Sequence, residues 1–183
     1  MHHVVLLYLD ERSENSISRL QRSLDDAGLP TPLRDRPGLR PHLTLACYPM
    51  VLDEAVLMDI VRRYAWARAP LGLRFESLAV FPGTGVLFLS PAPSLALLKD
   101  HEDLYDMVDR LELPGDAHYT PDSWTPHCTL GKGMTVKQLG TALDLVLGQL
   151  ALPIVAKARS IGVVRVGDEP KDVRLLNEFA WGK

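Results

Sequence analysis

The sequence contains the pattern Pro-His-x-Thr-Leu twice, as Pro41-His42-Leu43-Thr44-Leu45 and as Pro126-His127-Cys128-Thr129-Leu130. Residues two apart in a β-strand point to the same side, so each histidine would share a face with the threonine that follows it. The residues between them would point into the core. If positions are treated as independent, two such copies would arise by chance with odds on the order of 10⁻⁵. The repetition therefore indicates a common purpose for the two segments.

The segments around the two copies follow the same order. Each copy is predicted to lie in a strand and is followed by a helix, over 53–67 after the first copy and over 135–150 after the second. A further strand comes next in both cases, and Ser77 and Ser160 lie at nearly matching places in it. This order predicts two similar halves, with one motif in each.

Hydrophobic periodicity and turn residues predict the remaining elements. Helices are expected over 13–27 and 94–113, and strands over 3–9, 41–48, 71–81, 85–90, 124–130, 153–166 and 174–181. His101, in the helix predicted over 94–113, and His118, in the polar loop that follows it, are both expected at the surface.

The composition is typical of one globular domain, which is expected to span residues 1–183. Hydrophobic residues make up 46% of the chain, charged residues 23%, and the net charge is −3. A negative chain is not a general binder of polyanions, so any contact with nucleic acid must be confined to a local cleft. Two cysteines are too few for a disulfide framework. With no signal peptide or membrane-spanning run in the sequence, we expect a cytoplasmic protein. We also expect it to be a monomer.

Two imidazoles and two hydroxyls in one groove suit the chemistry of a phosphodiester. The attacking hydroxyl or water must lose a proton, and the leaving oxygen must gain one. Imidazole titrates near neutral pH, so one neutral and one protonated histidine can do both. The threonine hydroxyls can donate hydrogen bonds to the phosphate oxygens as these gain charge. The candidate catalytic residues, which need no metal or cofactor, are His42, Thr44, His127 and Thr129.

Other interpretations of the histidines are possible. A His-Thr pair on a strand can be purely structural, with both side chains hydrogen-bonded. Zinc sites usually combine two closely spaced ligands, whereas each motif offers one histidine, and Cys47 would point away from His42 in a regular strand. A histidine could also serve as the base of an acyl transferase, but no Gly-x-Ser-x-Gly motif is present.

The two His-x-Thr motifs resemble those of the 2H phosphoesterase superfamily, whose branches include 2′-5′ RNA ligases of bacteria and archaea and cyclic nucleotide phosphodiesterases. The resemblance covers essentially the whole chain. It implies an α+β fold, bilobal and pseudo-twofold, with antiparallel sheets and flanking helices around a central groove. It also implies that His42 and His127 are the acid-base pair and that Thr44 and Thr129 bind phosphate. Members commonly carry a basic residue just after the second motif, a position that Lys132 fits.

The resemblance implies a 2′,3′-cyclic or 2′-5′ phosphodiester as the bond attacked, and RNA ends or nucleotide cyclic phosphates as partners. Arg40, directly before the first motif, is a candidate for binding a flanking phosphate. A catalytically silent module that binds nucleotides or RNA ends is the alternative. Intact histidines and threonines at all four positions favour the enzyme, because a binding module would not need both imidazoles. Base preference and the direction of the reaction stay open.

Overall fold

The computed structural model of the protein describes residues 2–32, 39–49, 53–110, 115–169 and 172–182. Within these ranges the strands are β1 (His2–Leu9), β2 (His42–Pro49), β3 (Leu71–Phe81), β4 (Val86–Pro91), β5 (Cys128–Gly131), β6 (Ile154–Val166) and β7 (Val173–Ala180). The α-helices are α1 (Glu11–Asp26), α2 (Glu54–Trp66), α3 (Leu95–Asp109) and α4 (Val136–Leu147). The order strand–helix–strand–helix–strand therefore occurs twice, and β7 follows.

The first helix shows why the sequence folds this way locally. The side chain of Asp10 accepts a hydrogen bond from the backbone N–H of Ser13, which caps the helix so that it begins at Glu11, earlier than predicted. Its apolar residues recur at intervals of three and four and face the core. The helix predicted over 94–113 is observed as α3, and residues 111–113 lie outside the described ranges.

All seven strands belong to one antiparallel sheet, with the order β2-β1-β6-β3-β4-β5 and with β7 paired to β6. The order is symmetric about the β6–β3 pair, because β1 corresponds to β4, β2 to β5 and β3 to β6. The last strand of each half is exchanged: β6 pairs with β1, and β3 pairs with β4. Ser160 of β6 pairs with Tyr8 of β1, and Ser77 of β3 pairs with Ser90 of β4. Ser77 and Ser160 therefore occupy equivalent places in the two halves. The predicted α+β fold with pseudo-twofold halves is confirmed.

The two faces of the sheet differ in what covers them. The helices pack on the face that carries Leu7 and Leu43, where one large hydrophobic cluster forms the core. On the other face, Leu6, Tyr8 and Val164 form a small separate cluster with side chains from strands and a loop, and without a helix residue among those described. We call this second face the open face.

A β-bulge interrupts each motif strand at the same place. Thr44 pairs with Leu6 and Ala46 with Val5, so Leu45 has no partner in the β1–β2 ladder. In the same way Thr129 pairs with Phe88 and Gly131 with Leu87, so Leu130 has none. Both bulges fall on the leucine that ends the motif, and bulges bend a strand and redirect its side chains. The repeated pentapeptide therefore encodes a repeated backbone irregularity as well as repeated side chains.

Within the described residues, none of the helices is both long and apolar enough to cross a membrane.

Candidate active site

The two motifs lie on the two end strands of the sheet. His42 is the first residue of β2, and His127 directly precedes β5, which is shorter than the strand predicted over 124–130. Both histidines and both threonines of the motifs are half-buried. In the β1–β2 ladder His42 pairs with Tyr8, and Thr44 with Leu6. The histidine and the threonine of the first motif therefore lie on the open face, which carries Leu6 and Tyr8.

The sheet is curved so that its two end strands come into contact. The backbone N–H of His42 is close enough to the thiol of Cys128 to lower its pKa, against the larger opposite effect of burial, so the two motifs are neighbours. Side chains from the helices also bond the strands of the opposite half. Gln21 of α1 donates a 2.9 Å hydrogen bond to the carbonyl of Thr129, and His101 of α3 lies 3.0 Å from the carbonyl of Leu45. The motifs predicted to share a groove are therefore brought side by side.

A cavity of about 740 Å³ opens where the motifs meet. Its lining includes Thr44 of the first motif, His127 and Thr129 of the second, and Lys132. His42 does not line this cavity itself, but it lies two residues before Thr44 and close enough to His127 for the charge of that imidazole to lower its pKa. The volume is within the range of about 300–1,000 Å³ that small-molecule sites occupy.

The two imidazoles are held in the same way. Nδ1 of His42 lies 2.6 Å from the carbonyl oxygen of Arg40, and Nδ1 of His127 lies 2.7 Å from that of Thr125. A carbonyl oxygen only accepts hydrogen bonds, so Nδ1 must carry the proton in both rings. The other nitrogen, Nε2, is then the atom that can take up or release a proton. This shared arrangement keeps both histidines in the tautomer that acid-base catalysis requires.

The pKa values of both histidines are lowered from the ordinary value of 6.5. Burial is the largest cause of the lowered pKa of His42; the charges of His127 and Arg40 lower it further, while the hydrogen bond to the carbonyl of Arg40 raises it. Burial also lowers the pKa of His127, against the hydrogen bond to the carbonyl of Thr125. Since an imidazolium is costly to desolvate, burial favours the neutral form of both rings.

The surroundings of the two imidazoles are not equivalent. Phe81 and Phe88, with ring centroids 4.3 Å apart, form an aromatic wall that meets the ring of His127 edge-on at 5.1 Å and 5.3 Å. His42 has one such neighbour, Tyr8, at 6.4 Å. Phe81 also lines the cavity. The wall restrains the orientation of His127 in addition to its hydrogen bond.

The side chain of Arg40 contacts residues outside the cavity. Its guanidinium forms an ion pair of 2.8 Å with Glu178 and another of 3.6 Å with Glu14, and it lies 4.0 Å above the ring of Tyr8. It does not line the cavity. Its role in binding phosphate stays a prediction, and these two carboxylates would compete with a phosphate for the guanidinium.

Two further expectations from the sequence have different outcomes. His118 is exposed at the rim of the cavity, as predicted, and its Nδ1 lies 2.8 Å from Asp116. The surface position predicted for His101 is wrong: only 2% of the residue is exposed, and its ring stacks on that of Trp124. Sequence patterns gave no signal for this burial, since the partners of His101 come from other parts of the chain.

Among the residues that the structure describes, no three or more His, Cys, Asp or Glu side chains are grouped as metal ligands would be.

A model of the 2′-5′ RNA ligase superfamily matches residues 9–169 of the chain. The fold is similar to that of TT0787 of Thermus thermophilus, with a TM-score of 0.68, 19% identity and coverage of 98% of this chain and 97% of that one. It is also similar to LigT of E. coli in its complexes with phosphate and with 3′-AMP, each with a TM-score of 0.62, 15% identity and coverage of 100% and 98%. No curated protein matches the chain.

Proposed function

Because the chain belongs to the 2′-5′ RNA ligase superfamily, we propose that it is a phosphoesterase that uses His42 and His127 as an acid-base pair. Its substrate is a 2′,3′-cyclic or 2′-5′ phosphodiester of RNA or a nucleotide, and the reaction needs no metal. The observation that carries the proposal is the symmetry of the two imidazoles. Each is held through Nδ1 by a backbone carbonyl two residues before it, which leaves Nε2 available for proton transfer.

For a 2′,3′-cyclic phosphate, water attacks the phosphorus as the bond to the 3′ oxygen breaks. Nε2 of the neutral histidine takes the proton of the water, and Nε2 of the protonated histidine gives its proton to the departing 3′ oxygen. The product is a 2′-phosphate with a free 3′-hydroxyl. Since one ring must be neutral and the other protonated, the active form of the enzyme carries one proton on the pair.

The rest of the cavity lining supports the charge that develops on the phosphate. Thr44 and Thr129 both line the cavity, and their hydroxyls can donate hydrogen bonds to the non-bridging oxygens. Lys132 is exposed at the same cavity and supplies a positive charge. LigT, which shares this fold, has been crystallised with phosphate and with 3′-AMP, which suits a nucleotide substrate.

We also propose the partners, the oligomeric state and the compartment of the enzyme. Its partners would be RNA ends or nucleotide cyclic phosphates, and it would act as a monomer. Cys47 and Cys128 are free thiols, which suits a reducing compartment such as the cytoplasm.

We expect the purified protein to hydrolyse at least one of the four nucleoside 2′,3′-cyclic phosphates in the presence of EDTA. The described residues provide no cluster of metal ligands, so chelation should leave turnover unchanged. Products are identified by ³¹P NMR, which distinguishes 2′- from 3′-phosphates, and a 2′-5′-linked dinucleotide is tested in parallel. Activity abolished by EDTA and restored by a divalent ion would contradict the mechanism. Tight binding of a cyclic phosphate without turnover would identify the silent binding module instead.

We expect kcat/KM to be greatest below pH 6.5. Burial lowers the pKa of both His42 and His127, so the form with one proton on the pair is most abundant on the acidic side of the ordinary value of 6.5. A bound phosphate favours imidazolium, so the profile of kcat should be displaced to higher pH than that of kcat/KM. Both profiles are measured with one cyclic nucleotide at constant ionic strength. A value of kcat/KM that still rises between pH 7 and pH 8 would exclude two imidazoles of lowered pKa.

A further inference from the structure

Trp124 connects the two motifs, to one through its side chain and to the other through the backbone. Its indole Nε1 donates a 2.9 Å hydrogen bond to the backbone carbonyl of Thr44. In the chain it directly precedes Thr125, whose carbonyl accepts the Nδ1–H of His127 at 2.7 Å. One residue therefore connects the threonine of the first motif with the group that orients the histidine of the second. Trp124 is only 7% exposed, and it is one of the residues that line the cavity.

His101 packs against the indole ring of Trp124. The two rings are stacked, with centroids 3.9 Å apart and planes inclined by 5°. Nε2 of His101 lies 3.0 Å from the carbonyl of Leu45, the bulged residue that follows Thr44. β1 is the only described strand that pairs with β2, and the carbonyls of Thr44 and Leu45 accept hydrogen bonds from Trp124 and His101 of the other half. The bulge is thus held from the opposite half of the molecule.

The equivalent carbonyl in the other half has a different partner. Thr129 corresponds to Thr44, and its carbonyl accepts a 2.9 Å hydrogen bond from Gln21 of α1. Gln21 is remote in sequence from Arg40, the residue whose carbonyl orients His42. The Gln21 bond therefore links β5 to a helix of the first half, whereas the Trp124 bond links one motif to the segment that orients the histidine of the other.

We infer that Trp124, supported by His101, is a positioning residue that sets the spacing between the two motifs. The inference rests on the proposed two-histidine function. In-line displacement requires the two imidazoles on opposite sides of one phosphorus, and a misplacement of about 1 Å can cost about 10²-fold in rate. Trp124 acts through Thr44 and His127 and has no part in proton transfer itself.

The test compares two buried aromatic residues that each donate one hydrogen bond to a backbone carbonyl. Trp124→Phe keeps an aromatic ring for His101 to stack on and removes the bond to Thr44. Tyr64→Phe removes the 2.8 Å bond from Tyr64 to the carbonyl of Asp100, away from the cavity. We expect Trp124→Phe to lower kcat on a 2′,3′-cyclic nucleotide by about tenfold to a hundredfold, with KM changed by less than about threefold. For Tyr64→Phe we expect a lower Tm with kcat within about twofold of wild type.

A second readout does not depend on turnover. The ring protons of His42 and His127 are titrated by NMR without substrate. In the wild-type protein the charge of His127 contributes to the lowered pKa of His42. If the spacing widens in Trp124→Phe, the titration of His42 should move to higher pH, while Tyr64→Phe should leave it in place.

This titration separates the inference from the proposed function, because it can succeed even if the wild-type protein turns over none of the cyclic phosphates tested. A folded Trp124→Phe protein whose His42 titrates at the wild-type pH, or lower, overturns the inference whatever its turnover. If Trp124→Phe does not fold, His101→Phe gives the same test. It keeps a ring against the indole and removes the bond to Leu45, so His42 should again titrate at higher pH than in wild type.

Discussion

Replacing His42 or His127 with alanine is expected to lower kcat on a 2′,3′-cyclic nucleotide by about 10²–10⁴-fold, the usual contribution of a general acid or base. The double variant should be little worse than either single one, because proton uptake and proton release belong to the same step. Turnover is measured for the three variants and wild type under the same conditions. Near-additive losses in the double variant would show that the two histidines act independently.

The fold is expected to survive these changes. Both imidazoles are half-buried beside the cavity, and each is bonded only to a local backbone carbonyl through Nδ1. His127 also contacts Phe81 and Phe88, so His127→Ala should lower Tm more than His42→Ala does. His2→Ala, which changes an exposed histidine outside the cavity, is the matched control. Circular dichroism and Tm confirm folding, and either active-site variant with near wild-type kcat while folded would refute the mechanism.

Replacing Thr44 or Thr129 with valine is expected to lower kcat by about 10²–10³-fold, the typical cost of losing one hydrogen-bond donor to the transition state. Valine keeps the branched shape of threonine and removes only the hydroxyl. Both threonines line the cavity, so each loss should appear in kcat more than in KM. Steady-state kinetics with one cyclic nucleotide measure the two parameters.

Serine at the same positions is the control, because it restores the hydroxyl without the methyl group. Thr44→Ser and Thr129→Ser should keep kcat within about tenfold of wild type if the donor is what matters. Valine variants that turn over as fast as the serine variants would mean that the threonines are structural. Ala46, buried next to the bulge of β2, lies outside this comparison and stays unchanged in all variants.

The repeated elements of the fold could be predicted from the sequence, but the pairing of the strands could not. Local patterns predicted the strands and helices and their repeated order, since apolar spacing is a property of neighbouring residues. They could not predict the exchange of β3 and β6 between the halves, because strand pairing depends on contacts between distant parts of the chain. The bulges at Leu45 and Leu130 depart from the strict alternation that a regular strand predicts, and no local pattern indicates them.

The site shows the same division between local and distant information. Four motif residues were identified because histidine and threonine recur at fixed spacing in two copies. The positions of Arg40 and His101 could not be inferred in this way. Arg40 pairs with Glu178, and His101 stacks on Trp124, and neither partner is close to it in sequence. A polar residue is buried when distant groups satisfy it, which no local pattern records.

The most direct test of the two-histidine site is a crystal structure of the protein with a nucleoside 2′-phosphate. We predict that Nε2 of His42 and Nε2 of His127 both lie within hydrogen-bonding distance, about 2.6–3.2 Å, of oxygen atoms on the same phosphate. The hydroxyls of Thr44 and Thr129 should bond its remaining oxygens. A phosphate held by only one of the two histidines, or bound outside the cavity between the motifs, would contradict the proposed mechanism.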